Sequence, residues 1–172
     1  MVFNEILGIQ KINRDKTRIT TRQAVRAIIL KDRKILMVHT NKGDYKFPGG
    51  GIKKKENHEE ALKREVTEET GYIVSEMGEK VGVIIQRNMN QFDSKGIFET
   101  TSYYYFCDIN GQRSSQHLDK YEKEQEFKPV WISIDEVIAN NEAILAKKEG
   151  NYNPWVYRET LALKRLKENG IC

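Results

Sequence analysis

The stretch from Pro48 to Tyr72 reads PGGGIKKKENHEEALKREVTEETGY and contains the strongest pattern in the chain. Asn57 and Glu60 have the spacing of a capping box, which predicts that a helix begins there. Gly71 predicts the end of that helix, because glycine readily takes the left-handed conformation that closes a helix. Three consecutive glycines precede the helix, so the sequence predicts a tight loop leading into a capped helix.

Three glutamates on the predicted helix, Glu65, Glu68 and Glu69, are spaced i, i+3 and i+4. This spacing places their carboxylates on one helical face with Cβ atoms about 5–6 Å apart, where like charges repel each other. Taken alone, the cluster is more typical of an ordinary solvated helix face. Hard oxygen ligands at this spacing also suit a divalent cation such as magnesium or manganese.

The glycine loop before the helix supplies the second half of a predicted phosphate site. Gly49, Gly50 and Gly51 allow the backbone to approach a ligand closely, so that a carbonyl can bind metal and amides can face phosphate oxygens. Nearby lysines raise the local positive potential: Lys42, Lys46, Lys53, Lys54 and Lys55. An anionic substrate drawn onto a carboxylate-bound metal is typical of phosphoryl-group hydrolysis.

In its order and spacing this segment resembles the Nudix box, G-x5-E-x7-R-E-U-x-E-E-x-G-U, where U is a bulky aliphatic residue. Gly50 begins the match, Glu56 follows at the required distance, and Arg64–Val66 and Glu68–Gly71 fill the remaining fixed positions. Tyr72, in the last aliphatic position, is the one departure. The box covers 23 of the 172 residues, and the flanking pattern extends the resemblance from residue 22 to about residue 145.

The resemblance to the Nudix (MutT-like) hydrolases implies a water attack on phosphorus in a nucleoside diphosphate linked to another moiety, with Mg²⁺ or Mn²⁺ as cofactor. By position in the box, Glu68 and Glu69 are the main metal ligands. Glu65 is a further ligand or the base that activates water, and Arg64 orients a neighbouring glutamate. The carbonyl of Gly49 is implied as a backbone ligand. The positions assigned to substrate binding are Lys46, Gly50, Gly51 and Glu56.

Many members of the family use one more glutamate from outside the box, as a ligand or as the base. Three candidates lie in the charged segment before the last predicted strand: Glu122, Glu124 and Glu126. We favour Glu122, and a solvated charge run accounts for at least two of the three. Glu99 is a more remote candidate.

Outward from the box, alternating apolar runs and turn residues predict the remaining elements. Two aliphatic runs, Ala24–Leu30 and Ile35–Val38, predict a hairpin around a charged turn. Further strands are predicted at Lys80–Gln86, Thr100–Cys107 and Phe127–Ile132, with a turn at Asn110-Gly111 and a loop over Gln112–Glu126. Ser133 and Glu136 begin a helix that runs to about Ala146, and Asn153-Pro154 begin another that Gly170 ends.

Strands mixed with three helices predict an α/β fold, an α/β/α sandwich around a mixed β-sheet, as the resemblance also implies. We expect one domain over residues 1–172, with a lead-in segment at 1–21 and a C-terminal helix within 150–172. With 38% hydrophobic and 31% charged residues, the chain has enough apolar material for a folded core.

Composition also limits the compartment. No apolar run approaches the roughly 20 residues of a membrane helix, and the first residues, MVFNEILGIQKINRDK, carry charges where a signal peptide needs its apolar stretch. Cys107 and Cys172 lie far apart in the sequence, which excludes a cysteine-based zinc site. We therefore expect a cytoplasmic protein with no membrane partner.

The net charge of +4, without a dense basic block, favours a small nucleotide as the partner over nucleic acid. Two alternatives stay open: an enzyme acting on RNA 5′ ends through its basic N-terminal segment, and a non-catalytic nucleotide-binding or regulatory module. The latter usually lacks a box carboxylate, whereas all three are present here. Neither the substrate nor the oligomeric state is set by the sequence, and a homodimer is one option.

Overall fold

The computed structural model of the chain describes residues 1–91, 93–147 and 152–171. Within these ranges the strands and helices follow one another in this order: β1 (Phe3–Gly8), β2 (Arg18–Ile28), β3 (Leu30–Lys31), β4 (Lys34–His39), β5 (Tyr45–Lys46), α1 (His58–Thr70), β6 (Tyr72–Asn90), β7 (Asp93–Arg113), α2 (Lys120–Glu124), β8 (Lys128–Ile132), α3 (Ile134–Ala146) and α4 (Val156–Glu168).

Two sheets form the centre of the fold. The larger sheet has the order β1-β6-β7-β2, in which β6 and β7 form a long antiparallel hairpin and β1 and β2 add in parallel at its two edges. In the smaller sheet β4 pairs with β3 and β5 along one edge and with β8 along the other. The lead-in segment thus contributes an edge strand of the larger sheet.

Helices cover the sheets on both sides. On one side α1 packs Ala61, Leu62 and Val66 against Val25 and Ala27 of β2. On the other side, apolar residues of α3 and α4 pack against a second core cluster that includes Ile28, Ile35, Ile84 and Tyr104. Burial of an apolar stripe from each helix is what holds these layers together. The predicted α/β/α sandwich around a mixed sheet is confirmed.

The predicted helix ends are confirmed where the signal is local. The Asn57 side chain accepts a hydrogen bond from the Glu60 N–H, and the Glu60 carboxylate accepts one from the Asn57 N–H. Gly71 ends α1 with φ 73°. Ser133 and Glu136 form the same reciprocal cap at the start of α3. Each cap satisfies backbone donors that the first turn of a helix leaves without partners.

The strand predictions were correct in position and wrong in length. The segments predicted as Lys80–Gln86 and Thr100–Cys107 are the middles of β6 and β7. The predicted turn at Asn110-Gly111 is wrong: Gly111 takes φ 77° within β7, and that strand continues until Arg113 pairs with Tyr72. Asn110 and Gly111 therefore form a bulge in β7, after which pairing with β6 resumes at Arg113.

The first strand of the predicted hairpin is divided between the two sheets. The tight hairpin joins β3 to β4, with Asp32 and Arg33 both at positive φ in its turn. The segment before it, β2, pairs with β7 in the other sheet. The chain thus changes sheets at Ile29, whose carbonyl still accepts a hydrogen bond from the Leu36 N–H at 3.0 Å.

Two further predictions are corrected near the C-terminus. The segment predicted as a loop contains α2, which begins with a capping box between Asp119 and Glu122. Asn153 is not the cap of α4, which begins after Trp155. Its amide instead points inward and donates to Asp44 Oδ1 at 2.7 Å.

Among the described residues, no helix is long and apolar enough to cross a membrane. Cys107 is buried in β7, while Cys172 and residues 150–151 of the predicted C-terminal segment lie outside the described residues.

Candidate active site

The glycine loop runs along β2 and is fixed to it by backbone hydrogen bonds. The Val25 N–H donates to the Gly50 carbonyl at 3.0 Å, and the Ala27 N–H donates to the Pro48 carbonyl at 2.9 Å. Gly49 has φ 137°, and a Cβ there would collide with the Val25 carbonyl oxygen. Only glycine fits this position, so the loop lies flat against the strand with its backbone facing α1.

Three carboxylates converge opposite this loop. Glu65 and Glu69 are buried and lie one turn apart on α1. Glu122 approaches from α2. One oxygen from each lies within 4.8 Å of the others, and no other such group of acids occurs in the described part of the chain. Glu69 is fixed further by the Gly49 N–H, which donates to its Oε2 at 2.9 Å.

The three loop glutamates of the sequence prediction separate clearly in the structure. Glu122 caps α2 with one carboxylate oxygen, which accepts the Asp119 N–H at 2.9 Å. Glu124 and Glu126 are exposed and pair with Lys120 at 3.9 Å and Lys128 at 3.5 Å. Of the three, the structure brings only Glu122 to the box carboxylates. Glu99 lies elsewhere, in an ion-pair cluster with Arg14 and Arg87.

The convergence changes the acidity of these groups. Burial raises the pKa of Glu69 to about 7, although the Lys46 ammonium and the Gly49 N–H act in the opposite direction. Burial also raises the pKa of Glu122, and the nearby Asp119 carboxylate adds to that shift. Carboxylates that are buried together in this way are stabilised by a cation that can bind them.

Arg64 holds a second group of acids at the edge of the cluster. Its guanidinium donates two hydrogen bonds to Glu56, at 2.6 and 2.8 Å, and one each to Glu65 at 2.6 Å and Glu68 at 3.1 Å. The bonds from Arg64 lower the pKa of Glu56 to about 2, and bonding to Glu56 in turn raises the pKa of Arg64. Arg64 therefore fixes the rotamer of Glu65.

This arrangement separates residues that the sequence grouped together. Glu68 contacts Arg64 and lies outside the group of three converging acids, so its role as a main metal ligand stays a prediction. Glu56 is held by Arg64 and by the Lys53 N–H, at 2.8 Å, and does not line the cavity. Lys46 does enter the cavity, where its buried ammonium bonds to Glu69 and to the Gly49 carbonyl.

The site opens into a cavity of about 260 Å³. Beside the glycine loop and the acids, its walls carry two arginines and three aromatic side chains: Arg22, Arg26, Tyr121, Phe127 and Trp155. Trp155 is fixed by its Nε1–H, which donates to Asp44 Oδ2 at 2.7 Å. These wall residues were not predicted from the sequence as part of the site. An arginine inside the aliphatic run AVRAIIL was the available signal for Arg26.

A buried ion network connects α4 to the back of the loop. Glu159 accepts a hydrogen bond from the Phe47 N–H at 3.2 Å and is paired with Arg158 at 2.5 Å. Arg26 lies 3.9 Å from the same carboxylate and also donates to the Gly49 carbonyl. The C-terminal helix thereby fixes the position of the loop before the box.

Comparisons with known proteins agree with this geometry. A family model described as the NUDIX domain matches residues 20–156. No curated protein matches the chain. Among solved structures, a NUDIX hydrolase from Nitrosomonas europaea is similar over 86% of this chain and 90% of its own, with 20% identity and a TM-score of 0.57.

Two further structures show the same fold. A MutT NUDIX hydrolase from Burkholderia pseudomallei is similar over 86% of this chain and 98% of its own, with 17% identity and a TM-score of 0.52. A mutator MutT protein from Bacillus halodurans covers 69% of this chain and 72% of its own, with 20% identity and a TM-score of 0.52.

Proposed function

Because the chain belongs to the Nudix family of hydrolases, we propose that it is a metal-dependent pyrophosphohydrolase. Its substrate in this proposal is a nucleoside diphosphate linked to another moiety, either a nucleoside triphosphate or another nucleotide derivative. The observation that carries the proposal is the convergence of Glu65, Glu69 and Glu122 in one cavity, opposite a loop that only glycine can form. We also propose that residues 1–172 form one domain.

The donor set fits a hard divalent cation. Three carboxylates and the Gly49 carbonyl offer oxygen ligands only, which suits Mg²⁺ or Mn²⁺ and does not suit a thiolate-seeking metal. Glu65, Glu69, Glu122 and that carbonyl would hold the metal. When bound, such a cation neutralises phosphoryl oxygens and lowers the pKa of a bound water.

The remaining steps use side chains of this chain. Arg64 holds one oxygen of Glu65, so that the carboxylate keeps its position in the site, either as a metal ligand or as the base that accepts a proton from the attacking water. Arg22 and Arg26 give the opposite wall a positive potential, which stabilises the negative charge that develops on the phosphoryl oxygens. Arg64 holds Glu65, and the Gly49 carbonyl and Glu159 hold Arg26, before substrate arrives, so these two groups need little reorganisation during the reaction.

The aromatic wall supports a nucleoside as part of the substrate. Tyr121 is 47% exposed beside the carboxylate site, and its ring meets Trp155 edge to face with centroids 6.2 Å apart. A flat base can stack on such rings, and a purely inorganic polyphosphate would gain nothing from them.

The structure weakens the RNA alternative. Arg14 is paired with Glu99 at 3.0 Å and Arg18 with Asp93 at 3.2 Å, so part of the basic N-terminal charge is already neutralised within the protein. A polyanionic strand would need that charge to be available. We therefore favour a small nucleotide.

A hydrolysis screen with the products separated by chromatography tests the proposal. Chromatography is needed because cleavage of ADP-ribose or of a nucleotide sugar gives two phosphate monoesters and releases no free phosphate. The panel contains nucleoside triphosphates, oxidised nucleotides, ADP-ribose, nucleotide sugars, dinucleoside polyphosphates and a 5′-triphosphorylated RNA, each with Mg²⁺ and with Mn²⁺. We expect turnover of one nucleotide class that disappears with a chelator and in Glu122→Gln, and that survives in the matched variant Glu124→Gln. Silence across the panel with folded protein would overturn the proposal in favour of a binding module, and turnover of RNA alone would favour the other alternative.

A further inference from the structure

Lys46 places a buried ammonium inside the carboxylate site. The side chain enters from β5 and is 4% exposed. Its Nζ donates to Glu69 and to the carbonyl oxygen of Gly49, the latter at 3.2 Å. The Phe127 ring covers another side, with its centre 4.8 Å from Nζ. Lys46 thus bonds two of the groups proposed to hold the divalent cation.

A buried lysine in this position has a clear electrostatic role. An ammonium is costly to bury unless negative groups pair with it, and buried carboxylates carry the matching cost. Here one lysine stands beside three converging acids, Glu65, Glu69 and Glu122, so it neutralises them only in part. Arg26, the other buried cation at the loop, is shared with Glu159. Arg64 also bonds to Glu65, but its guanidinium is shared with Glu56 and Glu68. Lys46 is therefore the cation that bonds directly to Glu69.

We infer that Lys46 is the internal counter-ion of this site and that it competes with the divalent cation for Glu69 and the Gly49 carbonyl. An ammonium and a divalent cation on the same two oxygens would repel each other strongly at these distances. Lys46 must therefore give up both bonds when the cation binds. Because its backbone stays in β5, the released ammonium remains in the cavity, where a phosphate oxygen of the substrate is a suitable new partner.

This inference rests on the proposed function for the identity of the competing cation, and Mn²⁺ alone is the probe that tests it. Lys46→Gln keeps a donor without the charge, and Lys46→Met keeps the unbranched stem beside Phe127 without a donor. Lys42→Gln is the matched control, because it removes the same charge from an exposed side chain four residues earlier. The dissociation constant for Mn²⁺ is measured by electron paramagnetic resonance, and the melting temperature is measured with and without Mn²⁺.

We expect both Lys46 variants to bind Mn²⁺ roughly tenfold more tightly than the wild-type protein, since one positive charge no longer opposes binding. Without metal, both should melt at a lower temperature than the wild type, because the buried Glu69 then lacks its counter-ion. The rise in melting temperature on adding Mn²⁺ should correspondingly be larger. Lys42→Gln should resemble the wild type in all three measurements.

The outcomes distinguish a failure of the Lys46 competition from a failure of the proposed metal site. If the wild type binds Mn²⁺ and the Lys46 variants bind it equally or more weakly, the competition is wrong while the metal site stands. If both Lys46 variants stay unfolded even with saturating Mn²⁺, the inference is also wrong, because the cation should then replace the lysine. If the wild-type protein binds no Mn²⁺ at all, the proposed function fails, and the inference fails with it.

Discussion

Two groups of charged side chains in this protein differ in how far the chain itself neutralises their carboxylates. On the larger sheet, the single carboxylate of Glu99 is matched by two arginines, Arg87 at 2.7 Å and Arg14 at 3.0 Å. In the cavity, the carboxylates of Glu65, Glu69 and Glu122 lie within 4.8 Å of one another. Lys46 bonds to Glu69, and Arg64 bonds to Glu65 but is shared with two further acids. The first group is neutralised by the chain itself, and the second leaves negative charge in excess.

The pKa values of Glu99 and Glu69 reflect this difference. Burial alone would raise the pKa of Glu99, yet hydrogen bonds from Arg87 and Arg14 bring it below its ordinary value. Burial raises the pKa of Glu69 to about 7 despite its lysine. A buried acid with matched partners indicates a structural role. A buried acid crowded by other acids indicates a site that an external cation completes.

The largest effect on turnover is expected from Glu69→Gln. The amide has nearly the same shape but loses the charge that a metal requires, so turnover should fall at least about a hundredfold, the upper end of what loss of a ligand's outer partner costs. Steady-state assays on the responsive nucleotide measure this. The fold should survive, as circular dichroism can verify, because relief of repulsion within the cluster offsets the loss of the charged partner of Lys46, whose ammonium still lies near Glu122. Near wild-type turnover would remove Glu69 from the site.

Arg64→Lys should have the next largest effect. Lysine keeps the charge but cannot make the two-pronged contact with Glu56 while also holding Glu65. We expect a fall in turnover of about 10–100-fold, the range typical of residues that orient a ligand. An unchanged pH–rate profile and unchanged turnover would show that Glu65 needs no such support.

Gly50→Ala should reduce turnover by about tenfold at little cost in stability. A Cβ at this position would lie 2.5 Å from the carboxyl carbon of Glu65, so the glutamate must move away. Displacements of this size are known to cost turnover when they affect groups that position the reaction. Gly43→Ala is the control: it has φ 83° and no neighbour within 4 Å, so it should cost about 1–2 kcal/mol of stability and leave turnover unchanged.

Glu99→Gln should leave turnover nearly unchanged and act on stability instead. Loss of the carboxylate leaves the buried Arg87 without its ionic partner, whereas the exposed Arg14 is solvated, so the free energy of unfolding should fall by about 1–3 kcal/mol at neutral pH. The pKa of Glu99 is lowered by folding, so its stabilisation is complete above the unfolded pKa and is lost as the pH falls through the folded value. Urea unfolding across this acidic range should show a larger loss of stability in the wild type than in the variant, since other carboxylates with lowered pKa values, such as Glu56, titrate in both.

The parts of the site that the sequence predicted are those built from neighbours along the chain. The capping box at Asn57, the stop at Gly71 and the one-turn spacing of Glu65 and Glu69 depend only on helix geometry, and the structure has all of them. Glu122 is different. From the sequence, Glu122 was only weakly favoured over Glu124 and Glu126 as the additional glutamate. Asp119 and Glu122 nevertheless have the spacing of a capping box, which would have predicted α2.

What the sequence could not provide depends on contacts between distant segments. The sequence predicts Asn153 as a helix cap, but its side-chain amide donates a hydrogen bond to Asp44, 109 residues away. The sequence Asn110-Gly111 predicts a turn, but in the structure these residues form a bulge and β7 pairs with β6 on both sides of it. Arg26 reads as part of a core strand, and only the placement of the loop against β2 shows that its side chain meets Gly49.

One melting experiment tests the contrast between the two charge groups directly. The melting temperatures of the wild-type protein, Glu69→Gln and Glu99→Gln are measured with and without millimolar Mn²⁺. We expect Mn²⁺ to raise the melting temperature of the wild type and of Glu99→Gln by similar amounts and to leave that of Glu69→Gln nearly unchanged. A rise retained in Glu69→Gln, or lost in Glu99→Gln, would contradict this expectation.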